Sequence, residues 1–418
     1  MKRLFVMIAC LLATSWLYGQ SKANYDEEKV PQYSLPDVLL CNNGTRVTTA
    51  RQWEKQRRPE VLDMFSGMEY GRTPTEKIKK TCQLLHEDTQ ALSGIATSQQ
   101  VLVTFSGMGK TVKALLLAYI PNHRKGKVPV FITYNFKGNH SVTDDECILY
   151  SPYFDRYKDS NVPELQRNTQ ASRWPLKMIV SRGYAIVTMC YQDIFPDNAD
   201  GGIESVKQLF PDSSDETASW QAIGVWAWGS SRIADWAEKQ PWADCNQFVI
   251  MGHSRQGKAA VWAGAQDKRF KVVISNDSGC GGAALYKREF GERIEPITQN
   301  FPHWFCASFA QYSGKEQQLP FDQHELLALI APRYLYVASA EEDLWADPYG
   351  EYLAAYHASS VYALYGLAGI SSPSMPAVHQ PIMNHVGYHI RSGKHDVTEY
   401  DWEQYLGFCD KAFGRMGH

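Results

Sequence analysis

Apolar and polar positions divide the chain into two regimes. Over residues 20–95 they show little period, and Pro31, Pro36, Pro59 and Pro74 punctuate a charge-rich stretch; this predicts an irregular N-terminal arm packed on the main domain. From 96 to 418 short β-forming runs alternate with helical patterns. Residues 99–105 and 112–119 alternate apolar with polar and predict a hairpin. Residues 128–134, 184–191, 248–251, 272–276, 333–339 and 386–390 are compact runs rich in β-formers, as strands buried on both faces are. Residues 217–239 carry Trp220, Ile223, Trp226, Ala227, Ile233 and Trp236 at helical spacing, and 400–413 predict a closing helix. This alternation predicts an α/β fold, a mostly parallel sheet covered on both faces, with its site at the C-terminal strand ends.

The first nineteen residues read differently. Met1-Lys2-Arg3 precede the apolar stretch 4–17 and then Tyr18-Gly19, the layout of a secretory signal peptide and too short for a comfortable membrane span. The reading is an exported protein, periplasmic or secreted. A net charge of -3 with no clustered basic face offers nothing to displace phosphate counterions, so nucleic acid is not an expected partner. Beyond the leader lie eight scattered cysteines, without the C-x-x-C spacing that suits zinc; export permits disulfides, but spacing does not pair them.

The chemistry centres on Gly252-His253-Ser254-Arg255-Gln256-Gly257-Lys258, between the run 248–251 and a string of small helix-compatible residues. Strand, tight turn and helix lift a serine hydroxyl clear of both elements, where a base and a substrate can reach it. The second glycine stands one place later than in the common G-x-S-x-G pattern. A serine nucleophile needs a base and an acid to orient that base. His395, in the glycine-containing loop Arg391-Ser392-Gly393-Lys394-His395 after the run 386–390, is the best-placed base. Asp343, after the run 333–339, and Asp277, after 272–276, are the competing acids. Two other features are decoys. Gly109-Lys110-Thr111 ends like a phosphate-binding loop, but Thr104 stands where its first glycine belongs. His385 and His389 are four apart, yet Gly387, Val386 and Ile390 argue against the helix a shared metal would need.

With these residues in place, the chain resembles the glucuronoyl esterases of carbohydrate esterase family fifteen, secreted α/β-hydrolases. Their Gly-Cys-Ser-Arg-x-Gly-Lys motif appears as Gly252 to Lys258, with His253 in place of the cysteine, so the disulfide that fungal members form there cannot exist. Further matches are Asp277-Ser278-Gly279-Cys280-Gly281-Gly282, Gly291-Glu292, Asn300-Phe301-Pro302-His303-Trp304, and Glu341-Glu342-Asp343-Leu344-Trp345-Ala346-Asp347-Pro348. The resemblance implies an α/β-hydrolase three-layer sandwich, with Ser254 as nucleophile, His395 as base and an acid at Asp343, Asp277 or both. Arg255 would stabilise the oxyanion, while Lys258, Glu292 and Trp345 hold the sugar. No metal or organic cofactor is implied. The expected substrate is the ester between a 4-O-methylated glucuronic acid of glucuronoxylan and an alcohol such as those of lignin. A small-acyl polysaccharide esterase, or a carbohydrate-binding protein without activity, are the alternatives.

Overall fold

The computed structural model describes residues 23–156 and 166–415; the leader read at 1–19 lies outside them. The chain forms one ten-stranded sheet. Its strands are β1 (Lys79–Ala91), β2 (Ala96–Gly107), β3 (Lys110–Pro121), β4 (Val128–Asn135), β5 (Ala185–Cys190), β6 (Ala243–His253), β7 (Phe270–Asn276), β8 (Tyr334–Ala340), β9 (Ile382–Met383) and β10 (Val386–Arg391). Across the sheet the order is β1-β2-β3-β5-β4-β6-β7-β8-β10-β9. The run from β5 to β10 is parallel, flanked by antiparallel β1 to β3 on one side and β9 on the other.

Alternation along the central strands builds two cores at once, because successive side chains leave a strand on opposite faces. Val130, Ile132, Phe248, Ile250, Val273, Leu335 and Val337 pack into one cluster, with Trp226 of α2 (Ala222–Ala237) and Trp262 of α3 (Arg255–Gln266). Phe131, Val249, Met251, Ile274 and Tyr336 enter the other, with Ile179 and with Trp402 of a C-terminal helix (Glu399–Ala412). Helix, sheet and helix therefore form the three-layer sandwich. Both Trp226 and Trp262 are fully buried, and truncating either to alanine costs about 3–5 kcal/mol.

Residues 20–95 hold more regular structure than their pattern predicts. The segment 23–49 is mainly loop, but Arg58–Met68 is a helix, α1, and β1 pairs with β2 along its length. β1 escapes notice because it is an edge strand whose side chains stand mostly in solvent, so no apolar alternation marks it. The turn at Gly107-Met108-Gly109-Lys110 joins antiparallel β2 and β3, with positive φ at Met108 and Gly109. It is a hairpin turn, as expected, and not the strand-to-helix turn of a phosphate-binding loop. All eight described cysteines are free thiols, five of them buried. No helix among the described residues is long and apolar enough to cross a membrane.

Candidate active site

Ser254 sits between β6 and α3 with φ 57° and ψ -130°, a strained backbone held by its surroundings. Its own N–H donates to Asn276 O at 2.9 Å, and its carbonyl accepts from Gly257 N at 2.8 Å. Gly252 is required because a Cβ there would lie 1.9 Å from Gln256 O. Gly257 faces Ser278, whose Cβ would be 2.8 Å from an added methyl. The displaced second glycine thus lets the first turn of α3 pass close to the loop after β7.

His395 hangs from the loop after β10, its side chain 42% exposed, and its Nδ1 meets Asp343 Oδ2 at 2.5 Å. The exposed face of the ring is open to a substrate. Beneath it lies His253, ring centroids 4.5 Å apart. His253 is buried, and burial, followed by the charges of His395 and Arg173, drives its pKa well below the ordinary histidine value. Its Nδ1 meets Asn276 Oδ1 at 2.6 Å while Asn276 Nδ2 has no partner, which fits a neutral imidazole donating from Nδ1. The residue that replaces the family cysteine is a neutral packing surface for His395.

Asp277 also comes into this group. One carboxylate oxygen lies within 4.8 Å of the donors of both Asp343 and His395, yet neither Asp277 oxygen has a hydrogen-bond partner. Burial, then the charges of Glu351 and Asp343, push its pKa well above the ordinary carboxylate value; Arg391, 3.6 Å away, opposes them. Asp277, Asp343 and His395 are also spaced closely enough to share a cation. A ligand carboxylate must be deprotonated, and the state favoured for Asp277 works against that donor set. His385 and His389 form no such group: His389 is buried against Asp401, at 2.8 Å, and Tyr336, at 3.0 Å, while His385 stacks on Tyr334.

On the other side of the serine, the Arg255 guanidinium is fixed from three directions. It is paired with Asp197 and lies over the rings of Trp304, at 4.9 Å, and Phe301, at 5.5 Å. Asp197 is a buried hub: its Oδ1 accepts from His303 Nε2 and Trp304 Nε1, both at 2.8 Å, and its Oδ2 from Tyr191 at 2.8 Å. Burial alone would raise its pKa, but the His303 hydrogen bond and the Arg255 charge hold it well below the usual range. Asp197 was not singled out in the sequence; its one signal is a place in the polar loop shortly after buried strand β5.

Lys258, in the first turn of α3, is buried, and its Nζ donates to Ser278 O. Burial lowers its pKa and raises that of Glu292, while the opposite charges of the two counter both shifts. Glu292 N–H donates to Trp345 O at 2.9 Å, and the Trp345 side chain helps to counter the rise in the Glu292 pKa. Gly291, at φ 62°, allows this approach: a Cβ there would meet Trp345 O at 2.5 Å. All eight residues expected from the sequence therefore lie beyond the C-terminal ends of the strands, in loops or in the first turn of α3. The arrangement offers an oriented imidazole, a half-buried hydroxyl at a helix N-terminus, a fixed cation, and a lysine and a glutamate beside one flat ring.

A fungal glucuronyl esterase family model matches residues 160–366. Carbohydrate esterase MZ0003, from an unknown prokaryotic organism, is 40% identical over 428 residues, covering 98% of both chains. A 4-O-methyl-glucuronoyl methylesterase of Schizophyllum commune is 27% identical, covering 80% of this chain and 74% of its own. The solved glucuronoyl esterase from Solibacter usitatus superposes with a TM-score of 0.86 at 43% identity, covering 93% of this chain and all of that one. The chain thus belongs to the glucuronoyl esterases of carbohydrate esterase family fifteen, and is a carboxylic ester hydrolase.

Proposed function

We propose that this protein cleaves the ester between a glucuronic acid, 4-O-methylated on glucuronoxylan, and an alcohol such as those of lignin, with Ser254, His395 and Asp343 as its triad. The observation that carries the triad is the 2.5 Å contact between His395 Nδ1 and Asp343; a neutral ring that donates there from Nδ1 keeps the Nε2 lone pair free to act as a base. His395 takes the Ser254 hydroxyl proton as the oxygen attacks the ester carbonyl. The negative charge on the carbonyl oxygen is met by the Arg255 N–H at the start of α3 and by the Arg255 guanidinium, which Asp197 keeps in place. Collapse expels the alcohol, protonated by His395. Water, deprotonated by the same imidazole, then attacks the acyl-enzyme, releases the uronic acid and returns the proton to Ser254. Lys258 and Glu292 bond the sugar hydroxyls and Trp345 lines the ring face, as hydroxyl-rich ligands require. The leader read at 1–19 would place this activity outside the cytoplasm, on plant cell-wall polymer.

The test compares hydrolysis of benzyl glucuronate with that of an acetyl ester. Wild type should prefer the glucuronate, and Ser254→Ala should lose on the order of 10³-fold or more in kcat. Lys258→Ala and Glu292→Ala should depress the glucuronate activity and spare any acetyl activity. A preference for the acetyl ester would replace the proposed substrate with a small-acyl one.

A further inference from the structure

The arm that begins the described chain passes directly beside the sugar pocket. Gly291 N–H donates to Asn24 O at 2.8 Å, so the loop carrying Glu292 is held by the arm on one side and by Trp345 on the other. Two further contacts clamp the arm. Arg288 pairs with Glu27 at 2.7 Å and with Asp347 at 2.9 Å, and Tyr25 stands edge-on to Phe290 with centroids 6.3 Å apart. Despite these ties, Tyr25 remains 43% exposed. Its phenol is pushed up by partial burial and then by the charges of Asp343 and Glu292, so the ring shares an electrostatic neighbourhood with both the triad and the sugar pocket. Between arm and loop runs an open groove of about 620 Å³, lined by Asn24, Tyr25, Lys29, Glu289 and Arg293 among others.

We propose that this groove is a subsite for the polysaccharide beyond the uronic acid, with Tyr25 as the ring on which a neighbouring xylose packs. The proposal rests on the glucuronoyl esterase reading. A uronic acid held at Glu292 is still attached to its polymer, and the chain must leave the pocket along a surface. The groove adjoins Glu292 through Arg293, its immediate neighbour. It supplies what a row of sugars needs: one half-exposed flat ring that costs little rotamer entropy to order, and charged donors and acceptors for hydroxyls along its walls. Tyr25 is a specificity residue in this scheme and touches no reacting atom.

Two substrates with the same benzyl ester separate the roles: benzyl glucuronate, and benzyl ester of a glucuronic acid carried on xylotriose. The readout is the ratio of kcat/KM for the oligosaccharide to that for the monosaccharide. Tyr25→Ala should lower this ratio about tenfold, mainly through KM for the oligosaccharide, and Tyr25→Trp should keep it near the wild-type value. Arg293→Ala should lower it as well, by a few fold. An unchanged ratio in Tyr25→Ala, or equal losses on both substrates, overturns the subsite while leaving the esterase reading intact. Failure of wild type to cleave either substrate strikes instead at the esterase reading.

Discussion

Two aspartates end neighbouring strands of the same sheet, and their surroundings give them opposite characters. Asp343, in the loop after β8, bonds His395 at 2.5 Å. Asp277, immediately after β7, reaches the same neighbourhood without a hydrogen bond and with its pKa pushed well up. Backbone geometry explains part of this. Asp277 has φ 45°, and its N–H is spent on Ala338 O at 2.8 Å, which pins the residue to the strand end. Asp343 lies three residues beyond β8 and has the reach to meet a ring on the far loop. Crowding explains the rest: Glu351, itself raised to about 7 chiefly by burial, adds a third carboxylate, and like charges so close resist ionising together. In this site the loop, more than the residue type, decides which carboxylate bonds the His395 imidazole.

The sharpest way to break that contrast is Asp343→Asn. It removes the negative charge that stabilises a developing imidazolium and holds the imidazole in the wrong tautomer, so kcat should fall on the order of 10⁴-fold with little change in KM. Equal losses from Asp343→Asn and Asp277→Asn would erase the distinction. A smaller effect is expected from the opposite side of the serine. Asp197→Asn loosens Arg255 without deleting it, and kcat for the glucuronate ester should drop by about 10–100-fold, less than the loss of an oxyanion donor itself. The steady-state kcat and KM of that variant check this. A loss confined to KM would mean that Arg255 serves ground-state binding instead.

The same asymmetry governs what could be read in the sequence. Ser254, His395 and Asp343 are legible because each occupies a short polar loop next to a strand buried on both faces, and such strands announce themselves by composition. Asp197 is not, because its partners Arg255, His303 and Trp304 lie 58, 106 and 107 residues away; only the folded chain assembles the hub. The helix Pro348–Ala363 is likewise hard to read in the sequence. Its less buried positions Tyr349, Tyr356, Ser360 and Ala363 share one face, but none of them carries a charge, so no polar stripe contrasts with the apolar one. β1 fails for the opposite reason, being exposed along most of its length. Pattern reading works where one face differs from the other, and these elements have no such difference.

The mildest prediction tests the buried state of Asp277 directly. Because its folded pKa is raised, the native state holds a proton more tightly than the unfolded chain, so this residue costs stability increasingly as pH rises from the ordinary carboxylate range through the raised native value. Asp277→Asn keeps the shape and removes that titration. Arg391 retains its other partner, Asp401, at 2.8 Å, so the substitution leaves no cation unpaired. Thermal unfolding of wild type and variant should therefore give nearly the same Tm at about pH 4, and the variant should become the more stable by several degrees toward about pH 8, since each unit of pKa shift is worth about 1.4 kcal/mol. Activity on the glucuronate ester should stay within about threefold, because Asp277 makes no hydrogen bond to His395 whose loss could disturb the ring. A variant that instead loses stability as pH rises would mean that Asp277 is ionised in the native protein and pairs with Arg391, and its place opposite Asp343 would have to be redrawn.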